Sequence, residues 1–213
     1  NINEALNSND NMVKFLKRSL LSLLFLIPLL FNAQQAKATH VMGADITYRC
    51  IDSCKYEYTI VYYRWCAGVP LATPTATLRC VSNSGAVGIS KNLTLNLVGI
   101  KEITPVCATA SGECVPSNTI IPGARGIEQH TYTAIIDLCG ADSLFRDCDK
   151  LRVQTGQCCR NSNITTGMAD DRFETFADNN ISAAPCNSSP GLTSEPIAIL
   201  CCNQPFYFNN GAL

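Results

Sequence analysis

Residues 56–65 read YEYTIVYYRW, and this stretch decides the fold. Tyr56, Tyr58, Ile60 and Tyr62 fall on one side of an extended chain. Glu57, Thr59, Val61, Tyr63 and Trp65 fall on the other. Aromatic and β-branched residues at a period of two predict a strand. Both sides carry bulk, so the strand is expected to lie inside a sheet or between layers. A ring-rich strand can also present a stacking platform for sugars or peptides, but cross-strand packing is the commoner use of such residues.

Working outward, Ile46, Tyr48 and Cys50 alternate with Thr47 and Arg49, which predicts a partner strand joined through a turn at Ser53-Cys54-Lys55. Downstream, Thr75–Val81 is entered through Pro70 and Pro74 and followed by turn residues Asn83-Ser84-Gly85. Leu93, Leu95 and Leu97 alternate with Thr94 and Asn96 in a fourth strand. Further strands are expected at Gln129–Leu138, Lys150–Thr155, Ile197–Cys201 and Phe206–Phe208. Within Gln129–Leu138, Tyr132, Ala134 and Ile136 oppose Thr133, Ile135 and Asp137. The Pro- and Gly-rich residues 104–126 read as loop, and Met168–Ala177 has room for a turn or two of helix. Short alternating runs separated by turn chemistry predict an all-β fold, a disulfide-rich Ig-like β-sandwich.

The first 38 residues read differently. Lys14, Lys17 and Arg18 precede an apolar run of 13 residues, 19–31, broken by Pro28, and Ala36-Lys37-Ala38 offers small residues at a cleavage position. This is the order of a cleaved, helical signal peptide. The run is short of the roughly 20 residues a membrane-spanning helix needs. Residues 1–11 precede Met12 and read as upstream of the true start. The expected organisation is therefore 1–38 as leader and 39–213 as one extracellular module without a transmembrane anchor, truncated at its C-terminal end.

The chain carries a net charge of −1, and the leader holds four basic and two acidic residues, leaving −3 for residues 39–213. A mildly acidic module has no electrostatic footprint for nucleic acid. All 13 cysteines follow the leader. Such density points to an oxidising compartment, so secretion or the cell surface is expected. Cys50, Cys54, Cys66, Cys80, Cys107, Cys114, Cys139, Cys148, Cys158, Cys159, Cys186, Cys201 and Cys202 are all disulfide candidates. Sequence proximity suggests Cys107 with Cys114, Cys66 with Cys80, and Cys139 with Cys148, although connectivity does not follow from sequence. The adjacent pairs 158–159 and 201–202 are expected to reach separate partners. The odd total leaves one thiol over, or paired beyond the end of the chain.

Catalytic signatures are absent. No C-x-x-C unit, G-x-S-x-G or H-E-x-x-H occurs, which argues against zinc, thiol-redox and common hydrolase chemistry. His130 lies within a strand pattern at a surface or packed position, and His40 would be second in the processed chain. Asp170, Asp171 and Asp178, with Glu174, form an acidic group whose hard oxygens could bind Ca2+. A solvated acidic loop is the simpler reading, given Arg172 among them. No cofactor other than Ca2+ is suggested.

Several stretches together carry a resemblance: THVMGADITYRC (39–50), YEYTIVYYRWC (56–66), GIEQHTYTA (126–134), CCRNSNIT (158–165) and NSSPGLTSEPIAILCCNQPFYFNNGA (187–212). In this order they resemble the amino-terminal module of large secreted Bacteroidota surface proteins of the gliding-motility-associated, PKD-repeat type, cargo of type IX secretion. Two departures stand out. Ala44 replaces the second Gly of the opening motif, and the surroundings of Cys139 differ from the family's Cys-x-Asp-Trp-like segment. Family members continue beyond NNGAL into an Asp-rich sequence and repeats. The resemblance thus implies a non-catalytic module with a structural or adhesive role. Its implied partners are downstream repeats of the same polypeptide and a glycan or matrix. The alternative is a secreted carbohydrate-active enzyme or its glycan-binding domain.

Overall fold

A computed structural model describes residues 41–104, 113–115, 119–124, 126–158, 160 and 172–191, together with Lys17 and Pro205. The chain separates into two units, Asn1–Ala36 and Lys37–Leu213. Of the first, only Lys17 is described, exposed and in helical conformation. No helix among the described residues is long and apolar enough to cross a membrane.

The described residues of the second unit form eight strands: β1 (Val41–Asp52), β2 (Lys55–Trp65), β3 (Ala76–Val81), β4 (Val87–Leu93), β5 (Asn96–Glu102), β6 (Ile127–Asp137), β7 (Lys150–Gln157) and β8 (Phe173–Asn179). They form two four-stranded sheets, ordered β1-β2-β6-β5 and β4-β3-β7-β8, with every neighbouring pair antiparallel. Taken in chain order as A, B, C, C′, D, E, F and G, these are the ABED and C′CFG sheets of the immunoglobulin sandwich. The chain passes from one sheet to the other between β2 and β3, β4 and β5, and β6 and β7.

The core follows from the alternation in β2. Its even-numbered residues, Tyr56 to Arg64, are all buried, while its odd-numbered ones are half-buried. Tyr58, Ile60 and Tyr62 from β2 and Ile136 from β6 meet Leu78 from β3 and Leu151 and Val153 from β7 in one cluster. Each of these aliphatic side chains contributes about 1.5–3 kcal/mol by leaving water. Tyr62 and Tyr132 pack edge to face with ring centroids 6.0 Å apart. Tyr62 donates to Thr155 Oγ1, and Thr155 donates onward to the Thr75 carbonyl, so a hydrogen-bonded chain crosses the sandwich. An antibody domain has its inter-sheet disulfide between strands B and F. Here, β2 and β7 meet through these apolar and hydroxyl groups.

Three expectations from sequence are corrected. The run Leu93–Leu97 is not one strand. β4 ends at Leu93 in the second sheet and β5 begins at Asn96 in the first, so the leucines straddle the crossing between sheets. Phe173–Asn179 is a strand rather than a helical turn. Its odd-numbered residues are half-buried or buried and its even-numbered ones exposed, the period of an edge strand lying on a core. The suggested cysteine pairs Cys66–Cys80, Cys139–Cys148 and Cys107–Cys114 do not form. The observed pairs are Cys50–Cys186, Cys54–Cys139, Cys66–Cys114 and Cys80–Cys148.

The first three of the expected strands, the hairpin turn at 53–54, and the strands over 127–137 and 150–157 are present. The expected strands at Ile197–Cys201 and Phe206–Phe208 lie outside the described residues.

Candidate functional site

Strand alternation places charged residues where a sandwich normally holds apolar ones. Arg64 continues the inward series of Tyr56, Tyr58, Ile60 and Tyr62, and Glu128 and His130 continue that of Tyr132, Ala134 and Ile136. The β2–β6 register sets Arg64 directly opposite Glu128 and Tyr62 opposite His130. Arg64, Glu128 and His130 are each 0% exposed. Arg64 Nη1 donates to Glu128 Oε2 at 2.5 Å, and His130 Nε2 lies 3.0 Å from the same oxygen.

The guanidinium also gathers the neighbouring loops. Its Nε donates to the Val69 carbonyl at 2.8 Å. Nη2 donates to the carbonyls of Gly68 at 2.5 Å and Thr119 at 2.8 Å, with that of Cys66 at 3.4 Å beside them. A planar cation with five N–H groups suits this task, because it can serve one carboxylate and several carbonyls at once. Trp65, next along β2, donates from its indole to the Ala124 carbonyl at 2.9 Å. The Cys66–Cys114 disulfide, with Ala124, forms a small apolar cluster alongside. Close packing here demands Gly126, since a Cβ would lie 2.3 Å from Cys114 Sγ.

The electrostatics of the cluster are those of a dry site. Burial pushes the His130 pKa below the ordinary histidine value, and Arg64 acts in the same sense, against the pull of Glu128. His130 Nδ1 has no hydrogen-bond partner among the described residues. With Nε2–H donating to Glu128, the ring is neutral and Nδ1 is its bare nitrogen. Deeper in the core, burial raises the Tyr58 hydroxyl pKa, with the nearby Asn179 amide pulling the other way. Neither that hydroxyl nor the Asn179 amide has a partner at hydrogen-bond geometry among the described residues.

Sequence reasoning passed over Arg64 and Glu128. Their signal was present: opposite charges at the inward parity of two strands. His130, left between a surface and a packed position, is packed. Three of the aromatic side chains considered as a platform, Tyr56, Tyr58 and Tyr62, are buried. Of the acidic group, Asp170 and Asp171 lie outside the described residues. Asp178 stands on β8 with its carboxylate held by Arg152, at 2.6 Å from Nε and 2.7 Å from Nη2. Glu174 accepts from Arg172 and Gln154. Among the described residues, no group of three or more His, Cys, Asp or Glu side chains is placed to hold a metal.

Three further disulfides gather at the opposite end of the sandwich. Cys54, in the β1–β2 turn, binds Cys139 just past β6. Cys80 of β3 binds Cys148 just before β7. Thus both ends of the 138–149 connection are bolted, one to each sheet. Cys50 of β1 binds Cys186 in the segment after β8, and Ser188 and Ser189 hydrogen-bond the β1 backbone at Cys50 and Tyr48. Cys158 is disulfide-bonded as well. Cys107, Cys159, Cys201 and Cys202 lie outside the described residues. This sulfur chemistry belongs to an oxidising compartment, as in an extracellular or secreted protein. No family model matches the chain, and no curated protein or solved structure matches it either.

Proposed function

We propose that this chain is a non-catalytic extracellular module of a larger secreted or cell-surface protein, with a structural or adhesive role. The observation that carries this reading is the use made of its deepest charges. Arg64 and Glu128, both fully buried, are spent on holding backbone carbonyls and a neighbouring ring. Enzymes place such groups beside a cleft where one of them meets the reacting atoms. The disulfides that bolt the sheets at the far end serve mechanical persistence outside the cell. The resemblance to amino-terminal modules of Bacteroidota surface proteins agrees with this role. It makes a glycan or matrix the adhesive partner and downstream repeats the structural one.

The test uses the natively exported protein, with its disulfides intact, on arrays of glycans and extracellular matrix proteins. Parallel incubations with polysaccharides and chromogenic glycosides screen for turnover. Binding without product, or neither binding nor product, supports the proposal in its adhesive or structural form. Released product that tracks the purified chain overturns it in favour of a carbohydrate-active enzyme.

A further inference from the structure

The orphaned nitrogen of His130 gives the Arg64 cluster a property beyond structure. Among the described residues, the cluster is electrically balanced: one guanidinium, one carboxylate and a neutral ring, all fully buried. On the imidazole ring a proton arriving from solvent can go only to Nδ1, because Nε2–H already donates to Glu128. Protonation then creates a buried N–H with no acceptor among the described residues and leaves the cluster with an excess positive charge. Both are costly in a dry interior. The cheapest relief is to admit water. The groups standing in its way are the segments hung on Arg64, namely 66–69 and Thr119, with 124 hung on Trp65.

Among the described residues, the elements packed around His130 carry these groups. On β6 the inward neighbours of His130 are Glu128 and Tyr132, and on β2 they are Tyr62 and Arg64. On β5 the residue opposite is Ile100. Glu102, two positions on, turns its carboxylate to Thr104 and the Cys114 amide. The facing sheet presents Thr155 and Gln157 from β7, both uncharged. Arg172, ahead of β8, pairs with Glu174, and Arg160 bridges Val41 beside Arg64; both are further cations.

We propose that His130 is a proton-operated latch. Neutral, it keeps the Arg64 hub dry and the loop end of the sandwich closed. Protonated in mild acid, it loosens the 66–69 and 119–124 segments, while the disulfide-bolted far end stays folded. An adhesive or structural module built this way would change one surface with the acidity of its surroundings. The latch does not depend on the proposed function and stands or falls by itself.

The chain contains a single tryptophan, Trp65, and it sits on the hub. Its fluorescence therefore reports this end of the molecule. The disulfide-intact protein is titrated from about pH 8 to about pH 5, the histidine range, with emission maximum, acrylamide quenching and far-UV circular dichroism recorded together. The expected result is a red shift and an about twofold rise in quenching with the β signal retained, as local opening requires. In His130→Gln, whose amide can still donate to Glu128 but cannot take up a proton, emission and quenching stay flat over the same range. Nitrogen-15 spectra of the unsubstituted protein show directly whether Nδ1 of His130 takes up the proton in step with the Trp65 change, so a variant that fails to fold leaves the test intact. The idea is overturned by Trp65 emission that does not respond to acid, by a response that survives His130→Gln, or by simultaneous loss of the β signal.

Discussion

At the scale of single residues, the Arg64–Glu128 pair matters more for what its breakage would do than for its net contribution. A buried ion pair gains little over an apolar pair of the same shape, whereas removing one partner strands the other. Glu128→Leu should therefore lower stability by about 3–5 kcal/mol, read as a shift of the denaturation midpoint at unchanged slope. The double variant Arg64→Met/Glu128→Leu should recover much of that loss. A double variant no more stable than the single one would show that the carbonyls held by Arg64 matter more than the carboxylate.

Protonation states give a second residue-scale prediction, with signs that follow from burial. His130 has a lowered pKa, while Tyr58, Tyr62 and Tyr132 have raised ones, each chiefly because burial disfavours the charged form. In every case the folded chain keeps neutral a group that the unfolded chain would ionise. These terms are thus neutral to stability between about pH 6.5 and pH 10, the unperturbed values. Stability falls below that window as the unfolded state binds the histidine proton first, and above it as the unfolded state releases tyrosine protons first. Each folded-state shift of one unit corresponds to about 1.4 kcal/mol. Chemical denaturation across the pH range measures both limbs, and His130→Gln should flatten the acid one.

At the scale of elements, the edge strands are treated unequally. The free side of β1 is covered by the 186–189 segment through Cys50–Cys186 and the hydrogen bonds of Ser188 and Ser189. Exposed strand edges are templates for association. Replacing both Cys50 and Cys186 by Ala should cost about 2–5 kcal/mol and, in addition, should raise light scattering before the melting transition. The same replacement at Cys80 and Cys148 ties sheet to loop without covering an edge, so it should lower the melting temperature without early scattering. Gly126 makes a third case. A methyl group there would strike Cys114 Sγ and approach Glu102 Oε1. Gly126→Ala should destabilise by about 1–3 kcal/mol, with the damage seen first as faster hydrogen exchange at Cys66, whose amide donates to the Gly126 carbonyl.

At the scale of the whole molecule, the four disulfides between described cysteines span 48 to 136 residues of sequence. Such long closures restrict the unfolded chain strongly. Non-reducing peptide mapping of exported protein should return the four cross-links Cys50–Cys186, Cys54–Cys139, Cys66–Cys114 and Cys80–Cys148. Full reduction should abolish the cooperative melting transition. Most cysteines alkylatable without reductant would contradict both the map and the oxidising compartment read from it.

What the sequence determined by itself was whatever depends on near neighbours. Alternation in 56–65 and 129–138 made the central strands legible, because side chains two apart in an extended chain share a face. The cysteine count made the compartment legible, because thiols persist as disulfides only where oxidation is allowed. What only the tertiary structure decided were the relations between distant residues. Leu93, Leu95 and Leu97 keep one alternation through a change of sheet, so periodicity could not locate the crossing. The nearest cysteines in sequence were not the nearest in space, because pairing is set by strand register and by the ends that loops share. Arg64 and Glu128 became a site only when β2 and β6 aligned and the interior around them dried, since a charge has no partner and no desolvation cost until the fold supplies both.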